Sequence, residues 1–412
     1  MEIQAGLLID FGNSETRVIV TTSKRSYQFN LSNRFAELPL DYRPNKKYVN
    51  KDSLVFALPA QAPDGTPYYR RFASGKLAEV EFGSYLMSPS PNKGKTEQLT
   101  THLTLNLAII HAIVCLSNAE AVPVPQLDVK FDVSVLLPPR DHKAKEELMR
   151  KIVHDCTVVR PMLPYSFERT FTINSVNVYS ESVAAFFGAM FKEVGARHIP
   201  ENDNLSLVDG DIILLDNNPN MTVEIVDENQ VFQDGYVLVI DIGAGTSDVA
   251  LFKDIELIEH SRETFPKGGK LVEAEVLQLI NAKYGYEPEF NPSIIAEAQF
   301  KEGIDLVDVS ELVEEAKKRY SEQMRAWLDG YINRMQVNMR DIGGVLIVGG
   351  GALPSIRQVD DEEVVVASAM SDILVAYLKE LAPRIRLLNL DGKNLRYLNI
   401  DGLKILHNYA NK

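Results

Sequence analysis

Two aspartates in this sequence have the neighbours that phosphate chemistry requires. Asp10 closes the apolar run at 5–11 and is followed by Gly12, Asn13 and Ser14; Asp241 closes a second apolar run at 236–242 and is followed by Gly243, Ala244, Gly245 and Thr246. A glycine-rich turn lets backbone N–H groups approach phosphate oxygens, because no Cβ stands in the way. Asn13, Ser14, Thr246 and Ser247 would add side-chain donors. Two such turns facing each other can clamp the β- and γ-phosphates of a nucleotide. A carboxylate beside a phosphate is costly unless a cation intervenes. Mg²⁺ resolves the conflict, since it keeps most of its waters and is held by carboxylates through them, so Asp10 and Asp241 are the expected metal partners. One hairpin of this kind would read as a tight turn with a capping aspartate. Two copies in matching halves of the chain favour the phosphate clamp.

The type of turn narrows the chemistry further. P-loop and dinucleotide-binding fingerprints run strand, glycine loop, helix. Here residues 16–20 (TRVIV) and 247–251 (SDVAL) follow the glycines and prefer strands, so each device is a β-hairpin. No G-x-x-x-x-G-K-[ST] pattern occurs, and Gly268-Gly269-Lys270 reads as a helix-entry turn. Between the hairpins, Ser180 caps a helix whose first residue is Glu181. That short carboxylate is the candidate for ordering or deprotonating an attacking water; a first-turn acid that serves only the helix dipole is the competing reading. Ala184, Ala185 and Gly188 keep one side of the same helix small. Gly349-Gly350-Gly351 ends a later apolar strand and would let backbone approach a flat group such as adenosine.

These motifs need a large scaffold, and 412 residues supply one, at two to three times the usual domain of about 150. The composition, 45% hydrophobic and 24% charged, is that of an ordinary globular protein and excludes disordered and collagen-like classes. The 43 basic and 57 acidic residues give a formal charge of −14, which argues against direct binding of nucleic acid through a basic face. Cys115 and Cys156 lack metal-ligand spacing and read as core thiols of a reduced, cytoplasmic protein. The apolar stretch 103–116 is interrupted by Thr104, Asn106 and His111 and is shorter than the roughly 20 residues a span requires, so no membrane contact is expected.

The repeat organises the rest. Residues 1–22 and 101–196 are read as the core of a first lobe, with 23–100 as an irregular inserted subdomain holding strand-like runs at 53–58 and 76–82. Residues 197–234 are read as a surface hairpin insertion around runs at 212–215 and 221–226. Residues 235–265 and 330–412 form the second lobe core, with 266–329 as its mostly helical insertion.

The order of these motifs resembles the superfamily of actin, sugar kinases and heat-shock chaperone ATPases. Asp10 to Ser14 looks like its first phosphate motif, Ser180 to Ala185 its first connecting helix, and Asp241 to Asp248 its second phosphate motif. Val348 to Ala352 looks like the adenosine motif, and Asn399-Ile400-Asp401-Gly402 stands where a second connecting segment is expected. The resemblance implies an α/β, actin-like (ribonuclease H-like) fold: two related lobes, each with an inserted subdomain, and a nucleotide cleft between them. It is nearest the plasmid-segregation actins of the ParM type, in which a carboxylate occupies the Glu181 position. It implies ATP, with GTP as the alternative, and Mg²⁺. It also implies assembly into filaments that hydrolysis destabilises, and a separate DNA-binding adaptor protein. The second insertion would cover the purine, which makes Lys267, Lys270, Lys301 and Glu302 candidates. A small-molecule kinase of the superfamily and a cell-shape or division scaffold of the MreB or FtsA type are the alternatives. The short polar segment 403–412 favours the plasmid type.

Overall fold

The computed structural model describes residues 2–12, 15–23, 26–39, 55–75, 77–78, 86–87, 128–137, 157–161, 169–194, 198–199, 213–215, 222–286, 288, 293–302, 305–359, 362–390, 395 and 397–410. Both glycine hairpins open a sheet of the same topology. In the first, β1 (Glu2–Phe11) pairs antiparallel with β2 (Glu15–Thr22), and β2 with β3 (Ser26–Ser32). On its other side β1 runs parallel to β4 (Asp128–Leu137), which runs parallel to β5 (Arg169–Ser180). The second sheet repeats this order. There β6 (Tyr236–Ile242) pairs antiparallel with β7 (Ser247–Lys253), β7 with β8 (Glu263–Phe265), and β6 runs parallel to β9 (Ile342–Val348) and β9 to β10 (Arg386–Leu387).

The central strands are apolar runs rather than alternating patterns because both faces of each sheet are covered. Two helices, α1 (Glu181–Met190) and α5 (Leu398–Ala410), lie between the sheets. Toward the first sheet, Ala184, Ile400 and Leu403 pack on Leu8, Ile19 and Leu136. Toward the second, Ala185, Phe186, Leu398 and Ile405 pack on Val237, Val239, Phe252 and Val348, with Phe186 stacked on Phe252 at 3.9 Å. The far face of the second sheet, through Leu238, Ile240, Leu251 and Ile347, is covered by α2 (Gly269–Tyr284), α3 (Ser310–Met335) and α4 (Met370–Leu381).

Several sequence expectations are corrected. The run at 26–32, assigned to the inserted subdomain, is the third strand of the first sheet and pairs with β2 from Glu15 to Thr21, so the insertion starts after it. Within the run expected at 76–82, Leu77 and Ala78 are helical and buried, and the strand of this stretch is Pro67–Ser74, paired with Val55–Gln61. The two runs in 197–234 do not form one hairpin. Ile213–Leu215 joins the first sheet beside β3, whereas Thr222–Ile225 pairs with Phe191–Val194. Neighbouring chain with open backbone edges outcompeted the local pairing. A hairpin of Ser355–Val359 and Glu362–Ala367 was not foreseen at all. The apolar stretch 103–116 and both cysteines lie outside the described residues.

Candidate active site

Period-two geometry aims both aspartates inward. Side chains alternate faces along a strand, and Asp10 shares the parity of Leu8, which packs on the helix pair; Asp241 shares that of Val237 and Val239, which pack on it from the other lobe. Both carboxylates therefore sit on the faces that look across the molecule, buried at the C-terminal ends of central parallel strands. Open α/β sheets bind ligands at such ends.

The two aspartates have different partners. Asp10 stands directly across from Arg17, and the guanidinium Nη1 lies 2.9 Å from its Oδ2. Burial works against the charge on Arg17, but the pull of Asp10, Glu15 and Tyr397 holds its pKa above the ordinary value. Arg17 in turn stands across from Asn30, whose Nδ2 donates to the Tyr397 hydroxyl at 2.9 Å; Arg17 Nε and Asn30 Oδ1 are buried without a protein partner. Asp241 stands instead across from a second buried carboxylate, Asp248. Asn399 Nδ2 donates to Asp241 Oδ2 at 2.9 Å, and Thr264 Oγ1 donates to Asp248 Oδ1 at 2.7 Å. Like charges directly opposite on a sheet repel, so the second lobe sets a carboxylate where the first sets an arginine. Arg17 was missed by sequence reasoning, although a two-residue hairpin loop after Gly12 already places it opposite Asp10.

The second turn is shaped by the helix behind it. The N–H of Gly269 donates to the Gly243 carbonyl at 2.9 Å and that of Lys270 to the Ala244 carbonyl at 2.8 Å. In a planar trans peptide the carbonyl and the following N–H point opposite ways. With both carbonyls turned toward α2, the N–H groups of Ala244 and Gly245 face away from it, as an anion-binding nest requires. Gly268 is the contact that permits this: a Cβ there would meet the backbone N of Thr246 at 2.7 Å. The Gly-Gly-Lys segment is the helix entry expected, and it also braces the turn. At the first turn, Asn33 is fully buried, donates through Nδ2 to the Gly12 carbonyl, and accepts from Thr16 Oγ1 at 2.6 Å. Asn13 and Ser14 lie outside the described residues.

Glu181 opens α1 at the end of β5, on the same sheet edge as Asp10, and is buried. Ser180 occupies the N-cap position without capping through its side chain; its Oγ lies 3.0 Å from Ser182 Oγ. Ser247 was expected to donate into the cleft but belongs to the opposite face, where its Oγ donates to the Lys267 carbonyl at 3.0 Å and meets the Tyr320 hydroxyl. Lys267 itself reaches Gln323 Oε1. Lys301 and Glu302 are exposed on a short strand. Of the three glycines, Gly349 and Gly351 are required by close approach to the end of β6: a Cβ on Gly349, at φ 93°, would lie 2.5 Å from Asp241 Oδ1, and one on Gly351 2.6 Å from Ile242. Gly350 faces open space.

No protein-family model matches the chain, and no curated protein matches its sequence. Solved structures match it along its whole length. ParM of Bacillus thuringiensis with ATP is 17% identical with a TM-score of 0.56, covering 100% of this chain and 99% of that one. An archaeal actin homolog is 14% identical with a TM-score of 0.59 (98% and 99% covered), and the ParM of a 15-stranded Clostridium botulinum filament is 13% identical with a TM-score of 0.59 (99% and 99%). The fold is that of the actin-like ATPases, and ParM structures are among those it resembles over full length.

Proposed function

We propose that this chain is an ATP-dependent, filament-forming ATPase that segregates plasmid DNA. The observation that carries the reading is the pair of topologically matching hairpins, each with a buried inward aspartate, the second with its Ala244 and Gly245 N–H groups turned away from the helix that braces it. Backbone donors of both turns would hold the phosphates. Asp10 and Asp241 would hold Mg²⁺, which supplies neutralisation of phosphate charge. The carboxylate oxygens of Asp241 and of Asp248 opposite it are donors that suit such an ion. Glu181 orients the attacking water from the first-lobe edge, Gly350 leaves room for the adenosine, and Lys267 stands at the entry of the second insertion.

The partner is a second copy of the chain, added head to tail in an open strand. With a charge of −14, the link to DNA passes through a separate basic adaptor protein. The reading places the protein in the cytoplasm; no described helix is long and apolar enough to cross a membrane. Light scattering and pelleting with Mg-ATP, alongside phosphate release, test the proposal. Assembly with nucleotide and none without it is expected. A protein that stays monomeric across salt and nucleotide conditions, or passes phosphate to a sugar hydroxyl rather than water, overturns it.

A further inference from the structure

One short turn of the chain is bonded to the strand beside the first aspartate hairpin and to the aspartate of the second. At the start of α5, the Tyr397 hydroxyl accepts from Asn30, which stands in a row with Arg17 and Asp10 on three adjacent strands of the first lobe. Two residues on, Asn399 donates to Asp241 in the second lobe. Between them the Leu398 backbone presses on Gly188 of α1, the helix that begins with Glu181. We propose that Tyr397 and Asn399 are positioning residues that act as one unit, orienting the Asp10 row and Asp241 together so that the charge bound between the lobes is felt at a single turn.

The chemistry of each contact supports this. Asp241 faces Asp248, and the Asn399 amide holds one of its oxygens at 2.9 Å. In the first lobe the ion pair fixes Arg17 Nη1 on Asp10, and the Tyr397 hydroxyl fixes the next residue in the row. Tyr397 also packs on the first-lobe core while Leu398 packs on the second, so the turn cannot follow one lobe without disturbing the other. Coupling of this kind should appear as non-additivity.

The inference rests on the nucleotide reading above. The test is a titration of a fluorescent ATP analogue at a series of Mg²⁺ concentrations, with melting temperatures measured in parallel, for wild type, Tyr397→Phe, Asn399→Ala and the double variant. Asn399→Ala should raise the Mg²⁺ needed for half-saturation about tenfold and Tyr397→Phe about threefold, the effect of one lost hydrogen bond each. The double variant should fall well short of the thirtyfold product. Asn399→Gln, which keeps the amide donor and guards against a variant that does not fold, should recover part of the loss. Lowered melting temperatures with unshifted Mg²⁺ dependence, or a double variant equal to the product, would overturn the proposal. Wild type that binds no nucleotide at any Mg²⁺ concentration would instead overturn the function itself.

Discussion

Gly188 of α1 and Gly402 of α5 leave no room for a side chain on either. A Cβ on Gly402 would stand 2.8 Å from the Gly188 backbone N, and one on Gly188 3.2 Å from the Gly402 N, with the carbonyls of Ala184 and Leu398 closer still. The two helices that separate the lobes thus cross backbone to backbone. Gly402→Ala should lower stability by about 1–3 kcal/mol, the usual cost of overpacking. Urea unfolding of Gly188→Ala, Gly402→Ala and the pair should show the double variant losing less than the sum, since the first separation relieves the second. Full additivity would mean the contact is not shared.

Gly268→Ala acts on the second glycine turn, the proposed phosphate site, rather than on the core. The new methyl would drive against Thr246 and the peptides at 243–244, and the nest they form would open. ATP affinity is expected to fall at least tenfold while the melting temperature shifts by only a few degrees. Unchanged affinity would show that the turn does not hold phosphate.

Under the proposed function, Glu181→Ala should separate binding from hydrolysis. Glu181 does not belong to either hairpin, so nucleotide binding and assembly should survive, phosphate release should slow, and filaments should last longer after ATP is spent. Wild-type phosphate release in this variant would remove Glu181 from the mechanism.

Lys317 of α3 is buried, and its Nζ donates to Ser355 Oγ at 3.0 Å and to the carbonyls of Ser368 (2.9 Å) and Leu353 (3.4 Å). Burial pushes its pKa down from 10.5 to about 8, with Glu314 opposing. Between those two values the unfolded chain holds the proton and the folded one does not, so this lysine's contribution to stability rises with pH from about 8 to 10.5 and is least favourable below 8. Relative to Lys317→Met, wild type should therefore gain stability across that window, by at most about 1.4 kcal/mol per pH unit. A flat difference between the two would contradict the buried charge.

Legibility followed the range of the interactions. The hairpins at Asp10 and Asp241 were visible because both strands and turn lie within one short stretch, 2–22 and 236–253. The 26–32 strand alternates polar and apolar residues, with Tyr27, Phe29 and Leu31 buried, but nothing local says that it pairs with β2 rather than within the insertion. Ser247 was assigned to the cleft because residue type says nothing about which face of a strand it occupies. Lys317, Asn399 and Tyr397 gave no signal of their roles, since their partners lie tens to hundreds of residues away.

From its amino-acid order alone the chain declares a duplication: two aspartate hairpins, a carboxylate-led helix between them and a later apolar strand ending on three glycines, each written in local strand, turn and cap preferences. Tertiary structure decided the rest. It gave Asp10 an arginine and Asp241 a facing carboxylate, turned the Gly243 and Ala244 carbonyls onto a helix that begins more than twenty residues later, and joined both lobes through Tyr397 and Asn399. The reason is physical. Backbone preference acts between neighbours, whereas the charge and hydrogen-bond partners of a buried side chain are set by whichever surfaces the hydrophobic core brings against it.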